Sequence, residues 1–320
     1  MGWLDGLKSK VLGAAPAVGL GAFGKHPGWD DHIEPIGLDS EPLQAARDIL
    51  YVRGIGGVID GALWDKKPEE TLPGIAHFFC WSGEADTLVG RMWSSTDGKG
   101  RARYPMAAVV HLGLPFSHGL ARRAAGVLAG VEARCRLATT APEVRAIFAS
   151  GGEELRAVLA QPPDGHGAEA DGPLCARLAS TMRLNEGETF ARALYSLKTG
   201  FEAFAREPKA VSGKINLRMM ESTVPTQHSR LPAVPEGSVE NVAFWQKVIA
   251  GLGAAKLPTL FIHPAGERWL DLVTGTPTPK QLFCIRANEQ ALPPAAAVPY
   301  VLDEAFRRYA ADLLARVTAG

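Results

Sequence analysis

The sequence predicts an α+β protein, with a small antiparallel sheet covered by helices and followed by a second α+β part. Three runs typical of strands, 75–81, 88–94 and 104–112, follow one another between turn-rich stretches, which indicates an antiparallel meander. Two segments with apolar residues three and four positions apart flank these runs, 43–64 before them and 120–135 after them. This grouping of strands and helices favours an α+β order over alternating β-α-β units.

The first part of the chain divides into an arm and a predicted domain. Residues 1–18 carry apolar side chains at helical spacing, and we expect a flexible or amphipathic arm that contacts a partner or a membrane surface. Residues 19–161 form the first domain, whose last helix opens at a capping box made by Thr140 and Glu143.

The second part follows a linker rich in glycine, proline and acidic residues at 162–173, and we expect it to be a second α+β domain over 174–320. Its first segment, 174–206, has the periodicity of a helix, and Ser238 is placed to cap a later one. The remaining expected elements are strands at 215–219, 260–263, 269–273 and 282–286 and a closing helix at 300–317.

The composition predicts a soluble, cytoplasmic protein with a substantial core. The chain has 320 residues, of which 46% are hydrophobic and 21% are charged, and its 34 basic residues balance its 34 acidic ones. We therefore expect no nucleic-acid partner, because no basic run or stripe is present. The apolar stretches are too short to cross a bilayer, so no transmembrane segment is expected. Four scattered cysteines without a C-x-x-C pair favour buried, reduced thiols.

Two short segments some seventy residues apart carry the most distinctive chemistry. The first runs from Gly21 to Asp31 and the second from Ser95 to Pro105, and each combines glycine, proline and charged residues around an aromatic. Glycine and proline restrict the backbone of a turn locally, so that charged side chains can be set against each other. We expect the two turns to pack together, with Arg101 bound by Asp31 or Asp97, because the planar guanidinium can contact a carboxylate at two atoms.

Residues 19–25, which overlap the start of the first segment, match two nucleotide-binding motifs that their context argues against. Gly19, Gly21 and Gly24 match the glycines of a dinucleotide-binding loop, and Lys25 completes most of a phosphate-binding loop. Both loops need a hydrophobic strand before them and a helix directly after them, and Pro27 stands where that helix would begin. No cofactor is therefore expected.

A second hypothesis is a metal-dependent hydrolase. His26, Asp30, Asp31, His32 and Glu34 form a dense run of potential ligands, and such side chains hold zinc, manganese or iron. The sequence lacks an H-E-x-x-H motif and a second ligand cluster, and it lacks the nucleophile motif G-x-S-x-G. We therefore predict neither catalytic residues nor a bound metal, and a solvated turn is the alternative for this run.

The same two segments resemble the N-terminal domain of the TagF/ImpM family of bacterial type VI secretion proteins. The resemblance covers about residues 19–160 and is carried by a G-x-F-G-K-x-P-x-x-x-D pattern and an S-x-D-x-x-G-R pattern followed by an aromatic and proline. The matching residues, which we take as structural or partner-binding, are Phe23, Gly24, Lys25, Pro27, Asp31, Ser95, Asp97, Gly100, Arg101, Tyr104 and Pro105.

This resemblance implies a regulator and not an enzyme. Members of the family look like α+β proteins that act by binding other secretion components, and a forkhead-associated-domain protein is the first partner it implies. The implied fold is similar to longin and profilin domains, so a platform for a small GTPase is a second binding hypothesis.

Overall fold

The computed structural model describes residues 17–57, 74–162, 172–205, 215, 227–282 and 292–319, which build one seven-stranded sheet. All strand pairs are antiparallel, and the strand order is β1-β4-β3-β2-β6-β7-β5. The strands are β1 (Val18–Gly24), β2 (Ala76–Ser82), β3 (Thr87–Trp93), β4 (Met106–Leu112), β5 (Gln227–Pro232), β6 (Thr259–Pro264) and β7 (Trp269–Thr274).

Helices cover both faces of this sheet. The helices are α1 (Glu41–Ala46), which continues as a π-helix (Arg47–Gly56), α2 (His118–Leu137), α3 (Ala141–Ala160), α4 (Gly172–Thr181), α5 (Thr189–Ala205), α6 (Ser238–Gly251), the single turn α7 (Pro279–Leu282) and α8 (Glu304–Ala319). Among the described residues, no helix is both long enough and apolar enough to cross a membrane.

The central strands are buried on both sides because helices cover each face of the sheet. Successive side chains of a strand point to opposite faces, so they enter two different cores. In β2, Phe78 and Cys80 join the core beneath α2–α6 and α8, whereas Phe79 and Trp81 join the core beneath α1 and the π-helix. This arrangement explains why the central strands appear in the sequence as continuous apolar runs, without the polar alternation of a half-exposed sheet.

The α+β prediction is confirmed, and the structure connects the two predicted parts through the sheet. The meander of β2, β3 and β4 has the predicted order, and β2 pairs on its other side with β6 from the second part. The strands expected at 260–263 and 269–273 are β6 and β7. The division into domains at 19–161 and 174–320 stays a prediction, and residues 1–16 and 163–171 lie outside the described residues.

Some predicted elements differ from the structure. The helix expected over 43–64 begins at Glu41 and becomes a π-helix at Arg47, and residues 58–64 lie outside the described part of the chain. The helix expected over 174–206 is two helices, since Arg183 and Gly187 adopt positive φ angles of 55° and 54° between them. A left-handed residue cannot continue a right-handed helix.

Two predicted strands fall largely outside the description. Residues 216–219 and 283–286 are not among the described residues. Leu282, the first residue of the second predicted strand, is instead the last residue of the short helix α7.

Of the four cysteines, Cys80, Cys135 and Cys175 are buried free thiols, and Cys284 lies outside the described residues.

Candidate functional site

The strand pairing brings the two glycine- and proline-containing segments together. The first segment leaves β1 at Gly24 and the second enters β4 at Met106, and these two residues are partners in the β1–β4 register. The contact continues beyond the strands, because the Lys25 N–H donates to the Pro105 carbonyl at 3.1 Å and the Gly98 N–H donates to the Trp29 carbonyl at 2.7 Å. The two turns therefore lie side by side at one end of the sheet.

A buried ion pair joins the turns. The Lys25 Nζ donates to Asp97 Oδ2 at 2.7 Å, and only 4% of the lysine side chain and none of the aspartate side chain is exposed. Asp97 also accepts from Arg101 Nε at 2.6 Å and from the backbone N–H groups of Lys99 and Arg101, each at 3.0 Å. Four donors thus surround one carboxylate, which satisfies the desolvated charge.

These donors control the titration of Asp97. Burial alone would raise the pKa of the Asp97 carboxyl, but the hydrogen bonds from Lys25, Arg101 and the Lys99 backbone outweigh it and hold that pKa well below its usual value of 3.8. A carboxyl with a depressed folded-state pKa stabilises the fold above its unfolded-state pKa, and this contribution is lost as the pH falls toward the folded-state value.

We therefore expect acid to weaken the fold partly through Asp97. The free energy of unfolding of the wild type should fall as the pH drops from about 5 to about 2, and the fall should be smaller in Asp97→Asn, which is less stable at neutral pH but lacks this titration. Urea unfolding at several pH values measures both slopes. Parallel pH dependences in the two proteins would contradict this assignment.

An exposed outer layer covers the buried pair. Arg101 Nη2 lies 3.3 Å from Asp31 Oδ1 and donates to the Asp30 carbonyl at 2.9 Å, and Asp31 also lies 3.4 Å from Lys25 Nζ. Lys25, Asp97, Arg101, Asp31 and His32 together form one cluster. Within it the side chains of Arg101, Asp31 and His32 are 50%, 64% and 43% exposed, so a partner can reach them.

The neighbouring basic side chains also shift the pKa of Asp31. Partial desolvation would raise the pKa of its carboxyl, but His32, Lys25 and Arg101 together lower it below the usual 3.8. Asp31 is therefore ionised at neutral pH, and the surface presents a carboxylate beside a guanidinium.

Aromatic rings close the inner side of the cluster. Lys25 Nζ lies 5.5 Å from the centre of the Tyr104 ring, within the range of a cation–π contact. The Tyr104 ring in turn contacts the rings of His32 and Tyr51, with centroids 4.9 Å and 5.6 Å apart. Tyr51 is 5% exposed and also packs edge-on against Phe23. These contacts fix the turns against the π-helix that carries Tyr51.

The other predicted residues have backbone or packing positions. Gly24 has a φ of 119°, and a Cβ there would lie 2.2 Å from the Pro105 carbonyl oxygen, so this close approach requires glycine. Gly100 has a φ of 79° and its N–H donates to the Asp97 carbonyl, which closes the second turn. Pro27 is exposed and Ser95 is half-buried.

Tyr51 is the contributor that sequence reasoning missed. It lies within an apolar helical repeat, and that pattern is typical of an ordinary core position. Burial raises the pKa of the Tyr51 hydroxyl well above its usual value, and neighbouring Tyr104 and Asp31 raise it further. The Tyr51 hydroxyl is therefore neutral, and the residue contributes ring packing and no charge to the site.

Two residues of the hydrolase hypothesis, His26 and Glu34, have contacts of their own in the structure. His26 Nδ1 accepts from the Gly28 N–H at 3.1 Å, which stabilises the turn itself. His26 Nε2 lies 2.9 Å from the Cys135 carbonyl oxygen, which holds the turn against α2. Glu34 pairs with Arg145 on α3. Within the described ranges, no group of three or more histidine, cysteine, aspartate and glutamate side chains is placed to hold a metal ion.

Comparison with known proteins gives a distant structural likeness and no family. No family model matches the chain, and no curated protein matches it. A solved structure that it resembles is the crystal structure of PA0076 from Pseudomonas aeruginosa PAO1, at 21% identity and a TM-score of 0.31. The match covers 46% of this chain and 64% of that chain, which is less than two thirds of its length. So distant a likeness carries no argument about function, and the chemistry of this site is inferred from its own geometry.

Proposed function

We propose that this protein is a non-catalytic adaptor or regulator that binds another protein through the exposed layer formed by Asp31, His32 and Arg101. The single observation that carries the proposal is the division of the cluster into two layers. The inner pair, Lys25 and Asp97, is buried and cannot contact a partner. It instead holds the outer residues in a fixed arrangement, which reduces the entropy lost when a partner binds.

The chemistry of the outer layer suits protein recognition. Arg101 offers a guanidinium with exposed N–H donors, and Asp31 offers an exposed carboxylate beside it. Adjacent groups of opposite charge select a partner whose charges have the complementary order, and such complementarity contributes mainly to specificity. The formal charges of Lys25, Arg101, Asp31 and Asp97 sum to zero, so a simple anion or cation gains little from the cluster.

The machine in which this adaptor acts is proposed from the motif resemblance. The two patterns of glycine, charged residues and proline resemble those of TagF/ImpM proteins, and this resemblance supports a role in a bacterial type VI secretion system or a related assembly. A forkhead-associated-domain component is the partner that we propose to test first. The alternative occupant, a small GTPase, is distinguished in the same experiment by its nucleotide dependence.

We expect a charge reversal on the outer layer to abolish partner capture without unfolding the protein. In the native host, Arg101→Glu should recover at least about ten-fold less partner than the wild type, because an arginine that anchors an interface typically costs about 2 kcal/mol or more when it is truncated, and a reversed charge also repels the partner's acidic groups. Quantitative mass spectrometry of the captured proteins, with and without added GTP, provides the measurement.

The matched control is Arg183→Glu, which reverses an exposed arginine in the turn between α4 and α5. It should leave capture unchanged. Thermal unfolding of both variants shows whether Arg101→Glu remains folded, and Asp31→Arg, at the most exposed position of the cluster, supplies a second reversal. Equal capture by the wild type and by both folded outer-layer variants would refute the proposed surface.

A further inference from the structure

A serine and a histidine pair at the start of α6, far along the chain from the two turns. Ser238 is predicted from the sequence to cap this helix, but the N-cap residue is Gly237 and Ser238 is the first helical residue. The Ser238 Oγ instead lies 2.8 Å from Nδ1 of His263 in β6. His263 Nε2 lies 3.1 Å from the carbonyl oxygen of Glu267.

These two contacts determine which nitrogen carries the proton. A carbonyl oxygen can only accept, so Nε2 of His263 is protonated and donates to Glu267. Nδ1 is then the unprotonated nitrogen and accepts from the Ser238 hydroxyl. Burial lowers the pKa of His263, which is fully buried, and this keeps the imidazole neutral. The serine hydroxyl therefore faces a neutral, oriented base.

The backbone around Ser238 adds two further features of an activated nucleophile. Gly237 has a φ of 84°, so the chain turns sharply just before the serine, and Ser238 is half-buried whereas His263 is fully buried. The first N–H groups of a helix have no intrahelical acceptor, and their partial positive charge can stabilise a developing oxyanion. Nucleophile, base and orienting group thus follow one another in the order that nucleophilic catalysis requires.

We propose that Ser238 is a covalent acylation site that accepts a small acyl group from an activated ester. As Ser238 Oγ attacks the acyl carbonyl carbon, its proton passes to Nδ1 of His263. The tetrahedral intermediate collapses with cleavage of the bond to the leaving alcohol, and His263 returns the proton to that alcohol. The products are the Ser238 ester and one free alcohol, so no oxidant or further reactant is needed.

The experiment treats the full-length protein with p-nitrophenyl acetate and, separately, with a fluorophosphonate probe, and maps the modified residue by peptide mass spectrometry. We expect stoichiometric modification at Ser238 and its complete loss in Ser238→Ala. His263→Asn places an amide oxygen near the position of Nδ1 but supplies no base, and labelling of Ser238 should slow at least about ten-fold in that variant.

The matched control is Ser117, which immediately precedes the first residue of α2 and also stands at a helix N-terminus. Slower labelling of Ser117 than of Ser238 supports the paired histidine as the cause. Absence of label at Ser238 in the folded wild type overturns the proposal. Equal rates at Ser117 and Ser238 would also overturn it, as would an undiminished rate in folded His263→Asn. If His263→Asn does not fold, as thermal unfolding will show, the comparison of Ser238 with Ser117 in the wild type decides the outcome.

Discussion

Replacement of Gly24 by alanine is expected to destabilise the protein by about 2–5 kcal/mol, as the sum of backbone strain and a steric clash. The residue has a φ of 119°, where an L-amino acid is strained. The added Cβ would lie 2.2 Å from the Pro105 carbonyl oxygen and 2.9 Å from Met106 Cα, both backbone atoms that cannot rotate away. Relief requires the end of β1 to separate from β4, which also moves Lys25 away from its contacts.

Gly126→Ala is the matched control for this substitution. Gly126 lies within α2 on its exposed side, and a Cβ there meets no atom within 4 Å. Alanine should therefore stabilise the helix, by up to about 1 kcal/mol. Chemical denaturation of both variants measures the two changes. A Gly24→Ala protein as stable as the wild type would show that the two turns do not need this close approach.

The sequence predicts the local elements well because their signals are local. The runs that became β2, β3 and β4 are apolar stretches bounded by turn residues, and such runs need no information from elsewhere in the chain. The pairing of β2 with β6 joins residues such as Cys80 and Phe261, which are far apart in sequence. Neither strand has a sequence feature that identifies the strand with which it pairs. The single continuous sheet was therefore not predictable from the sequence pattern.

The π-helix shows a different limit of sequence reasoning. Between Arg47 and Gly56 the apolar spacing is compatible with an α-helix, and the sequence predicts one. The wider turns of a π-helix are rare, although they are frequent at functional sites. No local sequence pattern distinguishes them from α-helical turns. The consequence is specific here, because Tyr51 reaches the cluster from within this helix.

For the candidate site, the sequence indicates which residues take part but not which of their side chains are buried. Lys25, Asp31, Asp97 and Arg101 are all charged residues on glycine-containing turns, and nothing in the pattern distinguishes those that become buried. The pairing of β1 with β4 decides which of them is buried. It places Lys25 against the Tyr104 ring, whereas Arg101 lies at the surface. The predicted association of Arg101 with Asp31 or Asp97 is observed with both carboxylates, while the role of these residues in binding stays a prediction.

The burial of Lys25 makes Asp97 the side chain whose loss should affect the cluster most. Asp97→Asn leaves the ammonium of Lys25 almost fully buried, and among the described residues the counter-charge that remains is the exposed Asp31 at 3.4 Å. Removing one member of a buried ion pair typically costs about 3–5 kcal/mol, and most of this penalty belongs to the charge left behind, here that of Lys25. Lys25→Met should cost less, because Asp97 keeps the Arg101 side chain and two backbone donors.

The double variant Lys25→Met/Asp97→Asn tests this explanation through a thermodynamic cycle. We expect it to be more stable than Asp97→Asn alone, because the methionine removes the buried cation that asparagine leaves unpaired. Urea unfolding of the wild type, both single variants and the double variant at neutral pH gives the coupling energy. Strict additivity of the two changes would mean that Lys25 and Asp97 stabilise the turns independently. The outer layer would then be held by the separate contacts of each residue, such as that of Asp97 with Arg101, and an adaptor surface would not depend on the buried pair.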